Sequence, residues 1–235
     1  MAPRAWTVAR ALWHSRALPD TMERARYIAV EGPIGVGKTT LATALAERLG
    51  GRTVLEAVEE NPFLAPFYRD PSKLAFQTQL FFLLSRFQQQ QQLFQQDLFS
   101  QVTVADYLFA KDRIFASLTL DANELALYDK VWEIMGPRVV KPDLVVYLQA
   151  RLEVLLARVK KRGRDFERHL DPGYLDELSK SYSDFFFHYQ DTPLLVVNSS
   201  DIDLDSQADL EPLLEVIRKH RKGVRHYIPL GTRTT

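Results

Sequence analysis

The sequence predicts an α/β protein whose parallel sheet is covered by helices on both faces. Short apolar runs alternate with helical stretches along most of the chain, the pattern of a buried parallel sheet. The first run opens directly onto a glycine-rich turn that a helix follows. The 235 residues are 46% hydrophobic with no cysteine and zero net charge, enough apolar material for one sizeable core. Aromatic content of 11% excludes disorder as the main state, and the lack of cysteine excludes a disulfide scaffold or a thiolate metal site. No stretch approaches ~18 apolar residues, so no membrane span is expected. Balanced charge removes any global argument for nucleic-acid binding, so phosphate chemistry has to come from local basic clusters.

The elements follow in order. Tyr27–Glu31 is a short buried strand, and Thr39–Leu49 a helix stopped by Gly50-Gly51. Arg52–Glu56 is a second strand. Pro71 opens a long helix whose apolar positions Phe76, Leu80, Leu83, Leu84 and Phe87 recur at helical spacing. The run Gln88–Gln92, with Gln95 and Gln96, is read as the solvated face of that helix, since glutamine is a good helix former. Val102–Asp106 is a third strand. Asp121 and Glu124 form a capping-box signature before a helix carrying Leu125, Tyr128, Trp132 and Met135. Leu144–Leu148 is a fourth strand after Pro142, and Arg151–Lys161 a helix ended by Gly163. Pro172-Gly173 turns into a helix over Tyr174–Tyr189. A fifth strand, Leu194–Asn198, and a last helix, Asp209–Arg221, complete the pattern.

Residues 1–21 contain Arg4, Arg10 and Arg16 and no acid until Asp20. Two readings stay open: an acid-poor transit peptide, or a start upstream of a true beginning at Met22, which is preferred. Either way they are set apart as an extension from a domain over residues 22–235. A cytoplasmic protein is expected, or a mitochondrial-matrix one if the extension is a transit peptide.

Gly32-Pro33-Ile34-Gly35-Val36-Gly37-Lys38-Thr39 fits G-x-x-x-x-G-K-[ST] between a strand and a helix. Glycines let backbone N–H groups turn inward around a phosphate, and the helix N-terminus adds its dipole. Lys38 brings a charge for the terminal phosphates, and the Thr39 hydroxyl can bind magnesium. The loop by itself says nucleoside-triphosphate binding and leaves the phosphate acceptor open.

On the acceptor side, Glu56 ends the second strand and Asp106 the third. The C-terminal edge of a parallel sheet carries the ligand crevice. Two carboxylates there suit a general base and a metal or hydroxyl ligand, although each alone also fits a helix cap or a surface acid. Arg158, Arg162 and Arg164 gather around Gly163, either as a solvated surface or as an arginine-rich lid on a transferring phosphate.

Five segments together resemble the deoxynucleoside kinase family over about residues 26–200: EGPIGVGKTT, LEAVEENPFL, FYRDPSKLAFQTQLFFLLSR, VADYLFAKDRIFA and RVKKRGRDFE. The resemblance implies a P-loop NTPase fold, three layers with a five-stranded sheet of order 2-3-1-4-5. It implies ATP-dependent phosphorylation of a deoxynucleoside 5′-hydroxyl with Mg²⁺, in nucleotide salvage and in a homodimer. Glu56 matches the base, and Gln79 the amide that reads the nucleobase with paired hydrogen bonds. Tyr68 and Glu167 match the pair on the sugar 3′-hydroxyl. Arg86 and Asp112 match a pair found where purines or cytosine are taken. Phe115 matches the ring stacking on the base. ATP would be held by Gly32 to Thr40, including Lys38, Thr39 and Thr40, and by Arg158 and Arg162. Arg162 and Arg164 would act on the moving phosphoryl group, and Thr39 and Asp106 would hold the metal. The arginine that normally follows the third-strand carboxylate, beside the 5′-hydroxyl, is replaced by Tyr107, which can hydrogen-bond there but carries no charge. A thymidylate-like nucleoside monophosphate kinase and a non-catalytic subunit on the same fold are the alternatives.

Overall fold

The computed structural model describes residues 27–96 and 102–229; the extension over 1–21 lies outside them. Six strands are β1 (Tyr27–Glu31), β2 (Arg52–Val54), β3 (Thr103–Ala105), β4 (Leu144–Gln149), β5 (Leu194–Asn198) and β6 (Val224–Tyr227). They pair in parallel throughout, in the order β2-β3-β1-β4-β5-β6. The expected order therefore holds for the first five, and a sixth strand is added beyond β5. Its sequence, VRHY, has no apolar run, and its first three residues are exposed. Edge pairing with β5, Val224 opposite Leu194, makes it a strand.

Among the described residues eight α-helices surround the sheet: α1 (Lys38–Leu49), α2 (Leu64–Arg69), α3 (Pro71–Gln96), α4 (Asp112–Thr119), α5 (Ala122–Met135), α6 (Leu152–Arg162), α7 (Pro172–Phe187) and α8 (Gln207–Lys219). The helices α2 and α4 were not expected. The capping box at Asp121 is present in full, with Glu124 reaching back to the Asp121 N–H. The main core lies where the fully buried apolar residues of β1, β4 and β5 meet α1, α6, α7 and α8, with Ile28, Leu41, Leu148, Leu155 and Leu213 at its centre. Truncating one such leucine typically costs ~2–5 kcal/mol. Tyr147 of β4 stacks on Phe186 of α7 with ring centroids 4.1 Å apart, fastening that helix to the sheet.

Two expectations change here. β2 stops at Val54 and β3 at Ala105, so Glu56 and Asp106 stand on the chain just past the sheet edge. The glutamine run is not a uniformly solvated face. Gln90 is 1% exposed and donates to the Tyr27 hydroxyl at 3.0 Å, while Gln89 and Gln91 donate to the Leu55 and Arg138 carbonyls. The side chains of Gln95 and Gln96 lie outside the described set. Among the described residues no helix is long and apolar enough to cross a membrane.

Candidate active site

The loop between β1 and α1 takes its shape from glycines. Gly37 has φ 102° and caps α1, and a Cβ at Gly35 (φ 83°) would stand 2.8 Å from the Leu155 carbonyl. Side-chain-bearing residues rarely adopt that backbone. The Lys38 ammonium turns back onto the loop, donating to the Gly32 and Pro33 carbonyls at 2.8 and 3.1 Å. Burial, aided by the nearby Lys111 charge, lowers its pKa to about 8.

Asp106 joins this loop to the acceptor side. Its Oδ2 accepts the Thr39 hydroxyl at 2.6 Å, and its Oδ1 accepts the Glu56 N–H at 2.7 Å. The exit of β3 is thereby tied to the start of α1 and the exit of β2. Glu56 in turn sits between two cations. Its Oε1 accepts Nε of Arg86 at 2.7 Å and a second guanidinium N–H, and its Oε2 accepts the Lys111 ammonium at 2.9 Å. Burial alone would raise the Glu56 pKa, but the Arg86 and Lys111 charges outweigh it and hold the carboxyl well below the usual range. The other face of Arg86 pairs with Asp112, so Lys111, Glu56, Arg86 and Asp112 form one buried chain of alternating charge.

A cavity of about 550 Å³ opens against this chain and runs to the phosphate loop. From the predicted acceptor set, Glu56, Tyr68, Gln79, Arg86, Phe115 and Glu167 line it, and Asp112 reaches it through Arg86. Gln79 is buried beside Phe82, whose ring lies 4.9 Å from the Arg86 guanidinium. The Tyr68 ring stacks on Phe166 at 6.1 Å, and burial pushes its hydroxyl far above the usual range. At the opposite rim Arg162 holds Glu167 through Nε at 3.1 Å and a second N–H at 2.5 Å. Arg164 reaches Glu59 at 3.4 Å. Arg158 lines the cavity too, but its guanidinium donates to the carbonyls of Val36, Ser199 and Ile202 at 3.1, 2.8 and 3.0 Å. It stitches the phosphate loop to the chain after β5.

One expectation needs amendment. Tyr107 does not stand in the cleft: it is fully buried with Tyr27 and Ala105 behind β3. The positive charge beside Glu56 comes from Arg86 and also from Lys111, which was not among the expected site residues. Its signal was faint, a lysine inside the otherwise apolar stretch YLFAK. Glu31 was also missed; it is buried and accepts from the Gly32 and Leu108 N–H groups and from the Tyr182 hydroxyl.

A phosphate loop on a parallel sheet, continuous with a cavity that ends in a carboxylate and a buried amide, defines a nucleotide-dependent phosphotransferase with an enclosed acceptor site. The comparisons narrow this. A model of the deoxynucleoside kinase family matches residues 28–221. The chain is 40% identical over 162 residues to a deoxyguanosine kinase of Bacillus subtilis (strain 168), covering 68% of this chain and 78% of that one. It is 35% identical over 208 residues to a deoxyadenosine kinase of Dictyostelium discoideum, covering 85% and 80%. Among solved structures, a deoxyadenosine kinase from M. mycoides with bound dCTP aligns with TM-score 0.71 at 26% identity, covering 81% of this chain and 98% of that one. The chain belongs to the deoxynucleoside kinase family.

Proposed function

We propose that this protein transfers the terminal phosphoryl group of ATP to the 5′-hydroxyl of a purine deoxynucleoside or of deoxycytidine, as a salvage kinase. The carrying observation is that one carboxylate, Asp106, bonds both Thr39 of the phosphate loop and the backbone of Glu56. Donor and acceptor sides are thus held in register, and positioning is most of the catalysis in phosphoryl transfer.

In this reading Glu56 takes the hydroxyl proton, and Gln79 pairs with the base, offering both a donor and an acceptor. Tyr68 and Glu167 hold the sugar, with Phe115 against the base. Lys38, Arg162 and Arg164 face the phosphates, the last two as an arginine-rich lid. The Thr39 hydroxyl and Asp106 carboxylate form an all-oxygen pair of the kind that suits Mg²⁺ beside substrate phosphates. These two residues would hold the ion, whose chemistry is to neutralise phosphate charge. Among the described residues there is no group of three or more His, Cys, Asp or Glu placed for a metal. Leu84 of α3 with Leu127 and Ile134 of α5, 46%, 53% and 66% exposed on neighbouring helices, support a homodimer through these helices.

The test is an acceptor screen with ATP and Mg²⁺ against the four deoxynucleosides and their monophosphates. Deoxyadenosine, deoxyguanosine or deoxycytidine is expected to lead. Turnover of monophosphates alone would favour the nucleotide-kinase alternative, and no turnover at all the non-catalytic one.

A further inference from the structure

We infer that Lys111 is the positioning residue that orients Oε2 of Glu56 to receive the 5′-hydroxyl proton; this rests on the kinase reading above. The argument is one of acceptor sites. A carboxylate oxygen has two acceptor directions. Oε1 already accepts two N–H groups, both from the Arg86 guanidinium. On Oε2 one is taken by Lys111 at 2.9 Å, and one remains. The incoming hydroxyl therefore donates to Oε2, directly beside the Lys111 ammonium.

The lysine is built for this place. It is 2% exposed, and a buried ammonium is retained only where it is partnered. Glu56 uses one of its three donors, and the Phe115 ring lies 5.8 Å from Nζ. Lys111 lines the cavity, so its remaining donors are available to an acceptor oxygen there. Backbone bonds fix the side chain's origin. Lys111 donates its N–H to the Leu108 carbonyl at 3.0 Å, and Leu108 donates its own to Glu31 of β1 at 2.6 Å. Lys38 bonds the phosphate loop and Lys111 bonds Glu56, so the two ammonium groups stand on the two sides of one cavity. In the transfer, the 5′-oxygen bonds to the γ-phosphorus and the bond from that phosphorus to the bridging oxygen breaks. Its electron pair leaves with ADP, and the hydroxyl proton passes to Oε2.

The experiment is a double-mutant cycle on the full chain with Lys111→Met and Glu56→Gln, reading kcat and, separately, calorimetric binding of the preferred deoxynucleoside without ATP. Lys111→Met should lower kcat roughly 10–100-fold, less than loss of the base itself, and leave nucleoside binding within about threefold. In the Glu56→Gln background the same change should alter kcat by less than about threefold, because the group it aims is gone. Equal losses in both backgrounds, or a Lys111→Met variant within about threefold of wild type, would overturn the role. If Lys111→Met alone fails to fold, the double variant removes both charges and is compared with Glu56→Gln; a further loss beyond about threefold then overturns it. A wild-type chain that turns over no deoxynucleoside overturns the kinase reading and this role with it. Turnover in the wild type with an unaffected Lys111→Met variant overturns this role alone.

Discussion

Oε2 of Glu31 accepts the Leu108 N–H at 2.6 Å, across 77 positions of chain. Oε1 of the same residue accepts the Gly32 N–H at 2.8 Å and the Tyr182 hydroxyl at 3.0 Å. One fully buried side chain thus sets the spacing between the first glycine of the phosphate loop, the turn that carries Lys111, and α7. Glu31→Gln must present an NH₂ group to one of these donors. We expect a loss of ~1–3 kcal/mol in urea unfolding, the typical cost of one unsatisfied buried donor, and a lower kcat. Unchanged stability together with unchanged kcat would show that the spacing is held elsewhere.

Lys38→Ala should lower kcat by roughly 10²–10³ or more, as loss of a preorganised charge at a transferring group does. Its ammonium now rests on two loop carbonyls, so the fold should tolerate the change. Steady-state kinetics at saturating ATP decide it, and near-normal kcat would remove this loop from the chemistry.

Glu56→Gln should lower kcat by roughly 10²–10⁴ while KM for the nucleoside moves far less. The amide keeps the shape but presents a donor to Arg86 or Lys111. An intact rate at saturating substrate would hand the base role to another group, with Asp106 the first to examine.

Acceptor choice is best probed at Asp112 rather than at Arg86. Arg86 holds both Glu56 and Asp112, so Arg86→Met disturbs the base and the reading of the substrate together. Asp112→Ala touches only the outer partner. Wild type should take deoxyadenosine, deoxycytidine and deoxyguanosine well ahead of thymidine, and Asp112→Ala should narrow that gap in kcat/KM by at least about tenfold, since sites built on fixed polar groups discriminate through those left unpaired. Thymidine as the best wild-type substrate, or a ranking indifferent to Asp112, refutes the pair as the reader of the base.

The strands that were legible are those buried on both faces. Tyr27–Glu31 and Leu194–Asn198 match their expected ends because a continuous apolar run is what a strand covered on both faces needs. Val224–Tyr227 was invisible because an edge strand needs only backbone pairing, and its first three side chains are exposed. Within the site, the phosphate loop and the resemblance located Glu56, Gln79 and Arg86. The Tyr107 expectation failed because the chain bends at Asp106 just past β3: Asp106 bonds the phosphate loop while Tyr107 packs with Tyr27 and Ala105. Lys111 was hidden because its meaning depends on a meeting of the β3 exit with the β2 exit, which no local pattern records.

The three carbonyls held by Arg158 make that residue a pivot. The helix α6 is pinned there to both the phosphate loop and the chain after β5, while Arg162 stands only one turn further, ~6 Å along the axis. A lever that short carries its tip a small distance for any tilt. Under the proposed function, Arg162 and Arg164 would reach a phosphate by side-chain rotation, exchanging the ion pairs they make with Glu167 and Glu59 for a more strongly charged anion. Nucleotide binding would then act on these rim ion pairs, with the backbone beneath already set.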